Sequence, residues 1–170
     1  MGIRAAVFAV LVILAILLKT TVLPAVAINS FRPDVLVILV VAAALIEGPD
    51  TGIRLGFAAG LVQDLISGEA ALVGLGAVVM MGTGYIAGRL HPYIVAAELT
   101  TSVALSGLLA GGATLAFGAL GRMFGVIQPT VARMLTATII VGLYSAAVAP
   151  LVLRPTQWLL RQFPPPALGG

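Results

Sequence analysis

The chain of 170 residues contains no cysteine and one histidine, His91. The first absence excludes disulfides, CxxC redox chemistry and thiolate zinc sites. The second excludes multi-histidine metal centres and the HExxH motif. Charge is almost as scarce. Only 9% of the residues are charged, against about 25% in an ordinary soluble domain. Nine Lys/Arg scattered along the chain form no phosphate-tracking stripe, so nucleic acid is not among the expected partners. There is no Gly-x-Ser-x-Gly elbow and no P-loop, because the glycines from Gly52 to Gly60 include no Gly-Lys-Ser/Thr. The six carboxylates are dispersed, so neither a paired general acid and base nor a clustered-aspartate metal site is offered. An enzyme is disfavoured, and no cofactor or metal is expected.

What the chain does have is apolar surface. Apolar residues make up 61% of it and the mean hydropathy is +1.17. A soluble domain of this size cannot hide so much, since much of any small fold stays exposed. The expected solvent is lipid. Spans of roughly 20 residues give an all-α, polytopic bundle of about six transmembrane helices in one domain: 5–23, 35–46, 52–66, 72–90, 94–120 and 131–153. Residues 154–170 are left as a short cytoplasmic tail. The second and third helices are short, which suits tilted or partly re-entrant segments packed inside a bundle. Four full spans plus a short helical hairpin is the alternative. Arg4, an apolar run and Ala25-Val26-Ala27 imitate a signal peptide, but Lys19 interrupts the run, which favours a retained anchor. With the N-terminus inside, five arginines (Arg4, Arg54, Arg89, Arg154, Arg161) fall on the inner side and three (Arg32, Arg122, Arg133) on the outer. This bias favours both termini in the cytoplasm.

Two sets of residues stand out. Gly52, Gly56 and Gly60 recur every four residues, with Asp64 continuing the row; Gly84/Gly88 and Gly107/Gly111 repeat the spacing. Residues four apart share a helix face, and a glycine groove lets another backbone come close. Packing within the bundle is the favoured reading of the Gly52/Gly56/Gly60 face; docking of another membrane protein is the second. The other set is polar. Lys19 and Asp64 fall within or at the ends of spans, where an ionised group costs about 2.5–3.5 kcal/mol at the bilayer centre. They are expected to pair, or to share a network with Asp34, toward the outer leaflet. The alternative is a snorkelling Lys19 and an interfacial Asp64. Glu47, Asp50 and Arg54 read as a solvated turn, Trp158 between Arg154 and Arg161 as an interfacial anchor, and a His91–Glu98 proton relay is disfavoured.

The run Arg32-Pro33-Asp34 into Val35–Ile46, then Glu47-Gly48-Pro49, then Gly52-x-x-x-Gly56-Phe57-x-x-Gly60-Leu61-x-x-Asp64 resembles the rod shape-determining MreD family. The resemblance is carried by residues 5–90; residues 95–170 match in hydropathy. It implies a multi-pass protein of the bacterial cytoplasmic (inner) membrane, serving the elongation complex that builds lateral peptidoglycan. It implies partnership with a single-span MreC-like protein, and through it with MreB, RodA and a class B penicillin-binding protein; a homodimer stays open. It also implies a fold similar to the substrate-binding subunits of energy-coupling-factor transporters. The alternative function is therefore a small-molecule-binding membrane subunit of a transporter.

Overall fold

The computed structural model describes residues 2–21, 33–67, 73–94 and 99–162. Those residues form helices α1 (Gly2–Thr21), α2 (Val35–Glu47), α3 (Pro49–Ser67), α4 (Leu75–Arg89), α5 (His91–Ile94), α6 (Leu99–Met123) and α7 (Val131–Gln162). All regular structure among them is helical.

The short helix α2 is the axis of the molecule. Its sequence is apolar on every face, and a helix of that kind has no side to turn outward. Every residue from Val35 to Leu45 is buried, and α2 packs against all six other helices. Asp34 starts it: the carboxylate accepts the Val37 amide at 3.4 Å, an N-cap. Gly48 ends it, with φ +89° and its amide donated to the Ala44 carbonyl at 2.8 Å. The left-handed backbone there strongly favours glycine. One residue thus reverses the chain, and Pro49 opens α3 from the first helical position, where its missing N–H is not needed.

Two hairpins flank this axis. Helices α3 and α4 make the most extensive pairwise contact in the molecule, followed by α6 and α7. The second hairpin departs from expectation at its end. Arg154-Pro155 does not stop α7, which continues through both Pro150 and Pro155 to Gln162, so 154–162 is helix rather than tail. The reason is packing: Ala149 and Leu153 are fully buried against Ile38 and Ala42 of α2, and Thr156 is buried one turn on. Neighbouring helices hold the backbone where proline removes a hydrogen bond. The fourth predicted helix ends as expected, at Leu90, and a single turn, α5, follows it at His91-Pro92.

Around this apolar core, several small polar groups are enclosed while large aliphatic side chains face outward. Ser102, Ser106, Ser145, Thr83, Thr156 and Asp64 are buried, while Leu14, Leu108, Leu143 and Leu151 are more than half exposed. Ser106, Thr83 and Thr138 donate their hydroxyls to the carbonyl one turn back, so small polar groups are satisfied locally. Among the described residues, two helices are long and apolar enough to cross a membrane, at Thr100–Met123 and Val131–Thr156; Val7–Thr21 and Val35–Glu47 are shorter apolar stretches.

Candidate functional site

The Gly52/Gly56/Gly60 row faces α4 and is filled by it. A Cβ built on Gly56 would lie 2.8 Å from the Met80 carbonyl carbon and 3.1 Å from Met81 Cα; one on Gly60 would lie 2.6 Å from Ala77 Cα. Gly52 is similarly closed by the Gly84 carbonyl carbon at 2.8 Å and by Ala44 of α2. These distances are too short for any side chain, so the two backbones are in direct contact. Between the two expected uses of this face, the structure shows internal packing. Gly56→Leu therefore cannot serve as a probe that spares the fold. The same device recurs between α6 and α7. Gly107 meets Ala146 and the Gly142 carbonyl, and Gly111 meets Thr138 and Gly142. Sequence spacing identified Gly107 and Gly111 but missed Gly142 and Ala146, which share a face at four-residue spacing and could have been found by that signal.

Asp64 extends the glycine row by one turn, and the row's direction decides its partner. Its Oδ2 accepts the backbone amides of Gly74 at 2.9 Å and Ala77 at 3.2 Å. Gly74 occupies the N-cap position of α4 and has no side chain to cap with, so a carboxylate from α3 supplies the acceptor that the first turn needs. Gly76 makes room: a Cβ there would collide with the Asp64 carboxylate. The expected Lys19–Asp64 pair is thus not formed. Asp64 is buried as a cap, its charge set against the positive end of α4. Asp64→Ala is expected to cost about 1–2 kcal/mol, read as a lower thermal unfolding midpoint in detergent. Since Lys19 is not its partner, adding Lys19→Met should not restore it; recovery in the double variant would contradict this geometry.

Lys19 instead reaches two other helices. Its Nζ donates to Gln63 Oε1 of α3 at 2.7 Å and lies 3.4 Å from Asp34 Oδ1 at the start of α2. The backbone amide of Asp34 donates to Ser145 Oγ of α7 at 3.0 Å. Ser145 is fully buried near the middle of the apolar run Val131–Thr156. Lys19, Asp34, Gln63 and Ser145 therefore tie α1, α2, α3 and α7 at one polar cluster, and the expected network with Asp34 holds for Lys19. Gln63 and Ser145 were missed. Neutral side chains inside apolar runs give no charge signal, although Gln63 is next to Asp64.

The opposite end of α2 is closed by histidine. His91 Nδ1 contacts the Leu45 carbonyl at 2.6 Å, satisfying one of the orphan acceptors of the last turn. Its use is structural. Glu98, the other member of the disfavoured relay, lies outside the described residues, as do Arg32 and Glu69. Asp50 and Arg54 are exposed, whereas Glu47, the third member of the expected solvated turn, is half-buried, and Trp158 is exposed on the extended α7. No group of three or more His, Cys, Asp or Glu that could hold a metal occurs among the described residues.

Comparison with known proteins adds one assignment. The model of the family described as rod shape-determining protein MreD matches residues 2–160. The match covers nearly the whole chain and so extends past residues 5–90, which carry the resemblance, into the C-terminal half. The chain belongs to the MreD family, and its role is in rod shape determination. No curated protein and no solved structure matches it.

Proposed function

We propose that the chain is a non-catalytic membrane scaffold of the bacterial elongation complex. It controls rod shape and lateral peptidoglycan synthesis by binding an MreC-like single-span protein, and through it MreB, RodA and a class B penicillin-binding protein. In this reading α1, α2, α3, α4, α6 and α7 are six crossings of the cytoplasmic membrane, two of them short, arranged like the substrate-binding subunits of energy-coupling-factor transporters. Both termini lie in the cytoplasm. One observation carries the scaffold reading: the small and polar side chains are spent on internal packing, and long aliphatic faces are left outward. Helix α1 turns out Val10, Ile13, Leu14 and Leu17; α7 turns out Leu135, Ile139, Leu143 and Leu151. Faces of this kind suit a partner helix in lipid, where van der Waals packing drives association. The Gly52/Gly56/Gly60 groove contributes indirectly, by fixing the hairpin that shapes the exterior.

Site-specific photo-crosslinking in the native membrane tests this. A crosslinking residue at Leu14 or Ile139 should capture a single-span membrane partner, and one at the buried Val37 should not. Equal yields at all three positions, or capture at none, would remove the scaffold reading. The transporter alternative predicts a small molecule that stays with the detergent-purified chain.

A further inference from the structure

We propose that the tip of the α6–α7 hairpin binds an anionic phospholipid, its phosphate at Arg122 and one acyl chain in the groove between the two helices. The inference rests on the membrane placement of α6 and α7 proposed above. The hairpin has an unusual charge pattern. Residues 99–162 include Arg122, Arg133, Arg154 and Arg161 and no Asp or Glu. The arginines at the tip therefore have no carboxylate within their own hairpin. Arg122 stands in the last turn of α6 and Arg133 in the first turn of α7, both exposed. Arg122 is also held in place: its Nη1 donates to the Pro129 carbonyl across the connecting loop at 3.2 Å.

Directly beside that guanidinium runs an apolar groove of about 360 Å³, lined by Leu115, Ala119, Met123, Val131, Met134 and Leu135 together with Arg122 itself. The cationic mouth and apolar trough are continuous, and they sit at the ends of the two helices long enough to span a bilayer. Lipid phosphates lie at that level. A free phosphate would use Arg122 and leave the trough unfilled; a zwitterionic lipid would fill the trough but carry a compensating ammonium beside that guanidinium. An anionic headgroup on an acyl chain uses both features.

The test uses the full chain in detergent, with equimolar dioleoyl phosphatidylglycerol and dioleoyl phosphatidylcholine, read by native mass spectrometry. The wild type should retain one phosphatidylglycerol in preference to phosphatidylcholine, by about fivefold for the single arginine engaged. R122Q should bring the two lipids to parity, whereas R133Q, which is not among the residues lining the groove, should leave the preference intact. A119W, which fills the trough without changing charge, should lower retention of both. R154Q, at the far end of α7, should leave the preference intact. Parity in the wild type, an unchanged preference in R122Q, or loss of preference in R133Q or R154Q would each overturn the proposal. A helical circular dichroism spectrum for every variant shows that the fold persists. Flotation with vesicles separates the two levels of inference. A chain that floats without lipid preference removes this proposal alone, whereas a chain that does not float removes the membrane placement and the proposal with it.

Discussion

Gly56→Leu is expected to prevent the bundle from forming, and Gly82→Ala, in the same hairpin, to stabilise it. Both residues are glycines in a helical hairpin, so composition and propensity cannot separate them. Their surroundings do. The carbonyl carbon of Met80 would stand 2.8 Å from a Cβ on Gly56, and that atom belongs to the backbone of α4. A backbone cannot swing aside as the end of a long side chain can, so the helices must part. Overpacking in a close-packed core costs about 1–3 kcal/mol, sometimes more. Gly56→Ala should fall in that range. Leucine adds three more carbons on the same face and separates α3 from α4 along their whole contact. Total stabilities are only about 5–15 kcal/mol, and α3–α4 is the largest interface in the molecule. Around Gly82, by contrast, a Cβ would meet nothing within 4 Å. There the substitution removes backbone freedom from the unfolded chain, and should gain about 0.4–1 kcal/mol. Gly112 of α6 is in the same position. Thermal midpoints in detergent measure the contrast. If Gly56→Ala and Gly82→Ala move the midpoint in the same direction, the direct backbone contact between α3 and α4 is wrong.

This contrast shows what the sequence could and could not disclose. Four-residue spacing named Gly52, Gly56 and Gly60 as a face, because helical periodicity is a local property. It could not name the neighbour, because which helix fills a groove depends on the fold of the whole chain. The entry to α2 was legible for the same local reason: Pro33-Asp34 is a start signal, and twelve uninterrupted apolar residues leave no polar face. The exit of α7 was not. Arg154-Pro155 is a sound local stop, overridden by the burial of Leu153 and Thr156. Asp64 illustrates both halves at once. Its place on the glycine row was visible, yet the amides of Gly74 and Ala77 that donate to it belong to the start of the next helix. Sequence reasoning reached first for Lys19 because opposite charges attract attention and backbone amides, present at every residue, do not.

The second large effect is expected at Lys19. This ammonium ties α1 to the rest of the molecule through Asp34 and Gln63. Helix α1 otherwise packs on α2 and slightly on α3, with much of its surface outward. Lys19→Met deletes the positive member and leaves the Asp34 carboxylate, 22% exposed, beside the apolar start of α2. Asp34→Asn keeps an acceptor for the Val37 amide but leaves the ammonium without its counter-charge. Breaking one side of a buried pair costs about 3–5 kcal/mol. Partial exposure of this pair reduces that, to about 1–3 kcal/mol for each single change. The double variant Lys19→Met/Asp34→Asn strands neither charge, so it should be more stable than the two single losses predict, giving a favourable coupling. Because the natural chain has no cysteine, one introduced at the buried Ala15 of α1 reports locally. A membrane-permeant maleimide should label Ala15→Cys slowly in the parent, faster after Lys19→Met, and at an intermediate rate in the double variant. Gln63→Leu, which removes a neutral acceptor, should have a smaller effect than either charge deletion. Additive losses, or labelling rates indifferent to Lys19, would mean that apolar contact alone holds α1. The pairing would then be a consequence of where the helix lies, rather than a cause.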